Sequence, residues 1–297
     1  MGLKDSIKKK ASKISYSKLG SKSTKIIQEK LSDSKDSIKL DSRALRLRYH
    51  RIRNDSFKDI ESGKVRLNKP IFIVGVPHSG TSVLSSTFKT HPKIAMWTEA
   101  PEVWEPYWAE GVDSEYNRLV PVNEDYVETM DMLRITDAFY RYTKSQHRTR
   151  FMNKNPRNTV RISYMRKIFP DAKIIHIFRD PRDVVNSITR NMPEFMIEQI
   201  CDRWINSINQ VREQTKKIPK SDFYEIRYEE FCVRPREILT EAYRICELNT
   251  DDSIIEKLPN SLPNFNGKWK TEMNEKYHKL LKEKLGNKML ELGYSWD

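Results

Sequence analysis

Long apolar runs, paired cysteines and clustered histidines are all missing from this sequence of 297 residues. No stretch approaches the ~20 apolar residues of a membrane-spanning helix, and no apolar signal core separates the first lysines, so we expect neither a membrane span nor secretion. The three cysteines, Cys201, Cys232 and Cys246, lack C-x-x-C spacing. This argues against a disulfide framework or a zinc knuckle and favours a reducing compartment. The six histidines show no ligand spacing, so we predict no metal site.

Positive charge is concentrated in the N-terminal part of the chain. The formal net charge is +13, and residues 1–53 hold 11 Lys and 5 Arg against 5 acidic residues, which leaves only +2 for the remainder. We therefore expect no specific nucleic-acid surface in the body of the protein. The Lys- and Ser-rich composition of residues 1–53 is typical either of a mobile solubilising arm or of a segment that binds an anionic membrane surface. We predict this arm, a linker at 54–68 and an α/β domain at 69–297.

From residue 69 onward, short apolar runs alternate with helical stretches, which is the rhythm of a parallel α/β sheet. The run KIIHIF has the continuous apolar character of a strand that is buried on both faces. The pattern predicts a single-domain, P-loop-like α/β fold with a central parallel sheet and helices on both faces. Strands are predicted at 70–76, 94–97, 149–155, 172–178 and 222–228, and helices after Gly80, at 125–144 and 157–169, from Pro181, and at 194–217, 229–248 and 273–292.

The loop GVPHSGTS at 75–82 has the parts of an anion-binding site. Its glycines let the backbone approach a ligand, and the helix that follows directs its positive end at the loop. A P-loop NTPase also needs a lysine before the Ser/Thr and an acid that holds magnesium. Here Thr81 stands in place of the lysine, and Arg179 precedes Asp180 after the strand KIIHIF. A P-loop kinase or NTPase that lacks its usual lysine is therefore an alternative interpretation.

The ordered motifs resemble those of the sulfotransferases that use 3′-phosphoadenosine 5′-phosphosulfate (PAPS). In that family an apolar strand leads into P-K/R-S-G-T, which here reads PHSGT at 77–81. A later strand ends in R-D/N-P-R/K-D before a helix serine, which here reads RDPRDVVNS at 179–187. The segments NKNP, RYEEF, GKWK and LGY follow the family pattern in order and spacing. The resemblance covers about residues 69–296 and is closest to the carbohydrate and tyrosylprotein branches.

The resemblance implies that PAPS is the donor and that the site works without a metal ion. A purely structural account of RDPRD also stays open, in which Asp180 caps a helix, Pro181 is its first residue and Arg179 extends into solvent. The chain departs from the family at His78, where a lysine or arginine is usual, and it lacks the R-K-G triplet that cytosolic sulfotransferases place before GKWK. The residues implied in donor binding are Pro77, His78, Ser79, Gly80, Thr81, Ser82, Arg179, Arg182, Ser187, Tyr228, Lys268, Trp269 and Lys270.

The resemblance also implies a catalytic set. Lys154 matches a lysine that the family directs at the transferred sulfonate, and His78 occupies the position whose side chain stabilises the departing phosphate. The segment WTEAPEVWEPYW at 97–108 offers three glutamates among three tryptophans. Glu99 lies at the distance that the tyrosylprotein branch uses for its general base, and Glu102 is the alternative. The tryptophans could stack on a flat acceptor, although aromatic residues in such runs more often belong to the core.

These observations predict an enzyme that moves a sulfuryl group from PAPS to an acceptor hydroxyl. We expect a small-molecule or glycan acceptor. A sugar, a tyrosine, a lipid glycan and a small metabolite all stay open, because acceptor contacts in this family lie in variable loops such as 97–123 that the motifs do not cover. We expect a cytoplasmic protein, with residues 1–53 as a candidate contact to a membrane surface.

Overall fold

Five parallel strands form the central sheet of the protein. The computed structural model describes residues 54–104, 122–191 and 196–296, all within one compact unit, Leu47–Asp297. The spatial order of the strands is β2, β3, β1, β4, β5, and each neighbouring pair is parallel. The predicted parallel α/β fold is confirmed, whereas the arm predicted at 1–53 lies outside the described residues. The strands are β1 (Ile71–Val74), β2 (Ile94–Thr98), β3 (Arg150–Lys154), β4 (Lys173–Phe178) and β5 (Phe223–Arg227).

Helices connect the strands and pack on both faces of the sheet. No helix among the described residues is long and apolar enough to cross a membrane. Short 3-10 turns occur at Glu124–Tyr126, Pro156–Val160 and Lys220–Asp222. The described α-helices are α1 (Asn54–Glu61), α2 (Thr81–Phe88), α3 (Pro101–Trp104), α4 (Thr129–Ser145), α5 (Ile162–Ile168), α6 (Pro181–Asn191), α7 (Ile197–Thr215), α8 (Tyr228–Val233), α9 (Pro235–Ile245), α10 (Asp252–Ile255), α11 (Trp269–Glu272) and α12 (Glu275–Glu291).

Alternate side chains of β1 enter two different apolar clusters. Phe72 and Val74 pack in the cluster that contains residues of α4 and α5, whereas Ile71 and Ile73 pack in the cluster that contains residues of α2, α8 and α9. All four side chains are fully buried. Because burial of one such side chain stabilises a fold by roughly 1.5–3 kcal/mol, a strand covered on both faces is apolar at every position. This explains why β1 reads as a continuous apolar run.

Two of the predicted helices are interrupted. The helix predicted at 229–248 is divided into α8 and α9, because Pro235 cannot donate a backbone hydrogen bond and disfavours helical geometry in the residue before it. Arg234 accordingly has φ −128° and ψ 52°. The helix predicted at 157–169 begins as a 3-10 turn and is broken at Arg161, where φ is −129°. The predicted linker at 54–68 contains α1, which contacts α4.

The central position of β1 determines where a ligand can bind. The chain passes from β1 to β2 and β3 on one side, and then to β4 and β5 on the other side. In doubly wound sheets, ligands bind at the carboxyl ends of the strands where the direction of winding reverses. The loop at 75–80, Lys154 at the end of β3 and Arg179 after β4 meet at this edge.

Gly75 lies where the backbone of β4 approaches the end of β1. A Cβ atom at this position would be 2.4 Å from the carbonyl oxygen of Ile177. We expect Gly75→Ala to lower the free energy of unfolding by about 2–3 kcal/mol in urea denaturation, because two buried strands must separate. Gly286→Ala in α12 is the control: its Cβ would meet no atom closer than 3.7 Å, so it should stabilise the protein by about 0.5–1 kcal/mol. Wild-type stability of Gly75→Ala would contradict this account.

Candidate active site

An open cleft of about 750 Å³ lies at the carboxyl edge of the sheet. A cleft of this size accommodates a small organic ligand. Each of the five strands leads into a segment that lines it. The lining includes Pro77, His78, Gly80, Thr81, Ser82 and Val83 after β1, Glu99 after β2, Lys154 to Arg157 around the end of β3, Arg179 and Ser187 after β4, Tyr228 and Cys232 after β5, together with Arg203, Leu262, Pro263 and Phe265.

The loop between β1 and α2 turns sharply at the cleft. The amide of Ser79 donates to the carbonyl of Val76 at 3.0 Å, and both His78 and Gly80 have positive φ, 67° and 92°. Gly80 is needed for space as well as conformation, because a Cβ atom there would lie 2.4 Å from Cδ2 of Tyr228. The turn brings the N-terminal amides of α2 to the cleft, and these amides carry the positive end of the helix dipole. The loop can therefore bind an anion.

The six loop residues singled out in the sequence do not all face the cleft. Ser79 is fully buried, and its hydroxyl has no hydrogen-bond partner among the described residues. It therefore belongs to the interior of the turn. The other five, Pro77, His78, Gly80, Thr81 and Ser82, line the cleft.

The guanidinium of Arg179 lies against this loop. Nη1 donates to the carbonyl of His78 at 3.1 Å, Nη2 to the carbonyl of Phe265 at 2.9 Å, and Nε to Oδ1 of Asn266 at 2.7 Å. The guanidinium also stacks on Tyr228, 4.5 Å from the ring centroid. Only 7% of Arg179 is exposed, so the account that places it in solvent is wrong. Its positive charge is held at the wall of the cleft.

His78 and Ser187 connect the loop to α6. Oγ of Ser187 lies 2.8 Å from Nδ1 of His78. Burial lowers the pKa of His78 from its ordinary value of 6.5, and the nearby positive charges of Arg179 and Arg190 lower it further. The imidazole is therefore neutral at pH 7. An anionic ligand beside it would favour the protonated form, because an opposite charge raises the pKa of a histidine.

Arg182 stabilises the start of α6 and does not line the cleft. Its Nε and Nη2 donate to the two carboxylate oxygens of Asp180, at 3.0 and 2.7 Å. Asp180 also accepts the backbone amide of Arg182 at 2.9 Å, which makes it the N-cap of the helix. The guanidinium lies 4.5 Å from the ring centroid of Trp269. These contacts hold Arg182 at the start of α6, while its buried Nη1 has no hydrogen-bond partner among the described residues. Its role in donor binding stays a prediction.

Residues 268–270 lie beside the cleft. Lys268 lines a neighbouring cavity of about 300 Å³. Trp269 is buried, and its amide faces Oδ1 of Asp183 at 3.4 Å. Lys270 is exposed, with Nζ 5.8 Å from the ring centroid of Trp269. Neither Trp269 nor Lys270 lines the cleft.

Glu99 follows β2 in a strained backbone conformation. Glu99 and Ala100 have φ of 62° and 55°, which places two successive residues with side chains in the left-handed region. Each such residue costs on the order of 1–3 kcal/mol and is retained only where its surroundings hold it. Here the amide of Glu99 donates to the carbonyl of Lys154 at 2.7 Å, and Nδ2 of Asn155 donates to the carbonyl of Glu99 at 3.0 Å. Strand β3 therefore fixes the position of this carboxylate.

Lys154 and Glu99 form an ion pair in the cleft, at the ends of the neighbouring strands β3 and β2. Nζ of Lys154 lies 3.2 Å from Oε1 of Glu99. The lysine side chain is 7% exposed, whereas the glutamate side chain is 56% exposed. A buried ammonium beside an accessible carboxylate can stabilise a negative charge and accept a proton at neighbouring points of the same site.

The tryptophans that follow β2 belong to the core where they are described. Trp97 and Trp104 are buried, and Nε1 of Trp104 donates to Oδ1 of Asn153 at 3.0 Å. The side chains of Glu102, Glu105 and Trp108 lie outside the described residues. The choice of Glu99 over Glu102 as the base stays a prediction.

Glu229 organises the site, although the sequence analysis did not single it out. Its Oε1 accepts the amide of Asp180 at 3.0 Å, and its Oε2 accepts the hydroxyl of Tyr294 at 3.0 Å. Nδ2 of Asn266 also donates to Oε1. The motifs RYEEF and LGY contain Glu229 and Tyr294, but nothing in either segment indicates that they meet. Asn155 and Asn266 were missed for the same reason, since each acts through a contact to a distant backbone or side chain.

No group of three or more His, Cys, Asp or Glu side chains in the described ranges 54–104, 122–191 and 196–296 is arranged to hold a metal ion. Cys201, Cys232 and Cys246 are free and buried. A metal-independent site stays a prediction.

Residues 70–252 of the chain match the family described as the sulfotransferase family, and the match includes the glycine loop and the segment RDPRDVVNS. The chain belongs to the sulfotransferase family. Protein-tyrosine sulfotransferase A of Caenorhabditis elegans is 23% identical over 208 residues, which are 66% of this chain and 54% of the relative. The protein-tyrosine sulfotransferase of Drosophila melanogaster is 24% identical over 212 residues, which are 65% and 42% of the two chains. The matched region thus spans about half the length of these relatives or less.

The fold is also that of solved sulfotransferases. The crystal structure of sulfotransferase STF9 from Mycobacterium avium superposes with a TM-score of 0.55 at 16% identity, covering 85% of this chain and 83% of that one. The P-loop-like α/β architecture of the sequence analysis is therefore confirmed.

The lowered pKa of His78 has a consequence for stability. Because the unfolded chain binds this proton more readily, acidification favours unfolding: stability is present above a pH of about 6.5 and is lost as the pH falls below it. Asparagine tolerates positive φ and does not titrate, so His78→Asn should remove this dependence. We expect the free energy of unfolding of the wild type to fall more steeply than that of His78→Asn between pH 7.5 and 5.5, measured by urea denaturation. If the free energies of unfolding of the wild type and His78→Asn fall in parallel over this pH range, His78 does not have a lowered pKa in the folded protein.

Proposed function

We propose that this protein transfers a sulfuryl group from PAPS to the hydroxyl group of an acceptor. One arrangement carries the proposal: the glycine loop and the pair Arg179 and Ser187 adjoin in one cleft. Arg179 lies 3.1 Å from the carbonyl of His78, and Ser187 lies 2.8 Å from its imidazole. The glycine loop that follows β1 and the pair Arg179 and Ser187 that follows β4 therefore lie in contact at His78. This is the arrangement that a donor with phosphates at both its 3′ and 5′ positions requires.

The cleft fits the rest of the donor. The N-terminus of α2 would hold the 5′-phosphosulfate, and Arg179 with Ser187 would hold the 3′-phosphate. Tyr228, Cys232, Leu262 and Pro263 form a wall of mixed aromatic and apolar character beside Arg179, which suits an adenine base. The donor, when bound, supplies an activated sulfuryl group and leaves as adenosine 3′,5′-bisphosphate.

A P-loop kinase or NTPase is less well supported. Thr81 stands where such enzymes have the phosphate-binding lysine. The acid nearest the end of β4 is Asp180, and both of its carboxylate oxygens accept from Arg182. A transferring sulfuryl group carries less charge than a γ-phosphoryl group, so loop amides and a few cations suffice.

Three residues divide the chemistry between them. Glu99 accepts the proton of the acceptor hydroxyl, whose oxygen then attacks sulfur as the bond to the bridging oxygen breaks. Lys154 stabilises the transferred sulfonate, and His78 donates a hydrogen bond or a proton to the departing phosphate. The ion pair connects two of these roles: an anion beside Lys154 shares its ammonium group and so competes with Glu99 for it, which leaves the carboxylate of Glu99 available to the acceptor hydroxyl.

The acceptor that we propose is a small molecule or a glycan with a free hydroxyl. The proposal includes a cytoplasmic location and contact of residues 1–53 with an anionic membrane surface. The named relatives in worm and fly are protein-tyrosine sulfotransferases, so a tyrosine hydroxyl belongs among the acceptors to be tested.

Donor binding can be measured without knowledge of the acceptor. We expect adenosine 3′,5′-bisphosphate in EDTA, at about 100 times its Kd, to stabilise the full chain by about 2.7 kcal/mol. For a domain of this size the melting temperature should rise by about 5–10 °C. ATP with magnesium should produce no shift. The reverse pattern would favour the NTPase interpretation and overturn the proposal.

The role of Glu99 is tested by transfer of labelled sulfate from PAPS to sugars, phenols and a tyrosine peptide. We expect Glu99→Gln to lower kcat by about 10²- to 10⁴-fold, because the general base is lost, while affinity for adenosine 3′,5′-bisphosphate changes by less than twofold. Glu128→Gln, at an exposed position before α4, is the matched control and should keep wild-type kcat. A wild-type kcat in Glu99→Gln would exclude it as the base.

A further inference from the structure

A second cavity of about 300 Å³ adjoins the cleft on the side of α6. Arg179, Ser187 and Phe265 line both spaces, so the two are continuous at the residues proposed to bind the 3′-phosphate. The remaining lining residues of the second cavity are Asp183, Asn186, Arg190 and Lys268.

The charge of this cavity is predominantly positive. Arg179, Arg190 and Lys268 face a single carboxylate, that of Asp183. Both oxygens of Asp183 are engaged by backbone amides of the segment that follows Phe265, from Gly267 at 2.8 Å and from Trp269 at 3.4 Å. Asp183 therefore serves to hold that segment, and three cations against this one carboxylate give the lining a net positive charge that attracts an anion.

Arg190 is well placed to act together with Ser187. The two residues are three positions apart on α6, which puts them on the same face of the helix, one turn from each other. The field of Arg190 also reaches the anion-binding loop, since its charge is one of the causes that lower the pKa of His78. The guanidinium of Arg179 already donates hydrogen bonds to three acceptors in the protein. A phosphate with two negative charges therefore needs cations in addition to Arg179.

Glu272 on α11 forms an ion pair with Arg190. Nη1 of Arg190 lies 3.0 and 3.1 Å from the two carboxylate oxygens of Glu272, and Nδ2 of Asn186 donates to the same carboxylate at 2.5 Å. The arginine side chain is 53% exposed, so this ion pair is solvated and weak. An incoming phosphate can compete for the guanidinium.

We propose that Arg190 is a donor-binding residue that joins Arg179, Ser187 and Lys268 around the 3′-phosphate, and that Glu272 competes with this phosphate for the guanidinium of Arg190. This inference rests on the proposed function, because it requires a donor that carries a 3′-phosphate. It assigns the second cavity to that phosphate.

The test compares two nucleotides that differ only in the 3′-phosphate. We expect Arg190→Gln in the full chain to weaken binding of adenosine 3′,5′-bisphosphate by about tenfold in isothermal titration, and binding of 5′-AMP by less than twofold. Arg234→Gln is the matched control, because the side chain of Arg234 is similarly exposed, 52%, and is also ion-paired, with Glu230 on α8 and Glu237 on α9. It should bind both nucleotides as the wild type does.

Glu272→Gln provides an independent measurement. Without the competing charge, the bisphosphate should bind more tightly than to the wild type, and this gain should disappear when Arg190→Gln is added, because Glu272 acts through Arg190. Unchanged bisphosphate affinity in Arg190→Gln, or an equal loss for both nucleotides, would overturn the inference and leave the proposed function standing. A wild-type protein that binds 5′-AMP as tightly as the bisphosphate would overturn both.

Discussion

Arg179 leaves the end of β4 and donates hydrogen bonds to three acceptors in two other segments, the carbonyl of His78 and two groups at 265–266. This one guanidinium ties the glycine loop after β1 to the chain that follows α10, while its face covers Tyr228 after β5. The cation that would bind a phosphate is therefore also the group that keeps the walls of the cleft together. A ligand that replaces one of these acceptors changes the position of a wall as well as filling a site, so binding and local structure are coupled at this residue.

The order of the strands makes such a contact feasible. With β1 between β3 and β4, loops that are about 80 to 100 residues apart in the chain leave the sheet side by side. Glu229 adds a second tie at the same edge, where it joins the start of α6 to the C-terminal Tyr294. The burial of Tyr294 beside this carboxylate raises the pKa of its phenol well above the usual range, so the hydroxyl stays a hydrogen-bond donor at physiological pH. The contacts of Glu229 with Asp180 and Tyr294 thus support the site, although neither Glu229 nor Tyr294 lines the cleft.

Strands β1, β2 and β4 could be predicted because they are wholly or mainly apolar, and the glycine loop because its spacing has a physical meaning. The family resemblance implied Arg179, Ser187, Lys154 and Glu99 as site residues, and all four line the cleft. Side-chain partnerships were not predictable. The family resemblance implies that Arg182 binds the donor. In the structure, its guanidinium forms an ion pair with Asp180, two positions earlier, and lies against the ring of Trp269. The sequence does not indicate the contact with Trp269. The start of α6 at Pro181 was predicted because its chemistry is local, whereas the break before Pro235 was missed although the same property of proline causes it.

The backbone conformation of Glu99 is fixed by two hydrogen bonds: its amide donates to the carbonyl of Lys154, and its carbonyl accepts from the side-chain amide of Asn155. The orientation of its carboxylate is therefore inherited from β3 and not from the segment that comes after it. In a protein built this way, a substitution in β3 or at Asn155 shifts the carboxylate that we propose as the proton acceptor, even though the segment that carries it is unchanged.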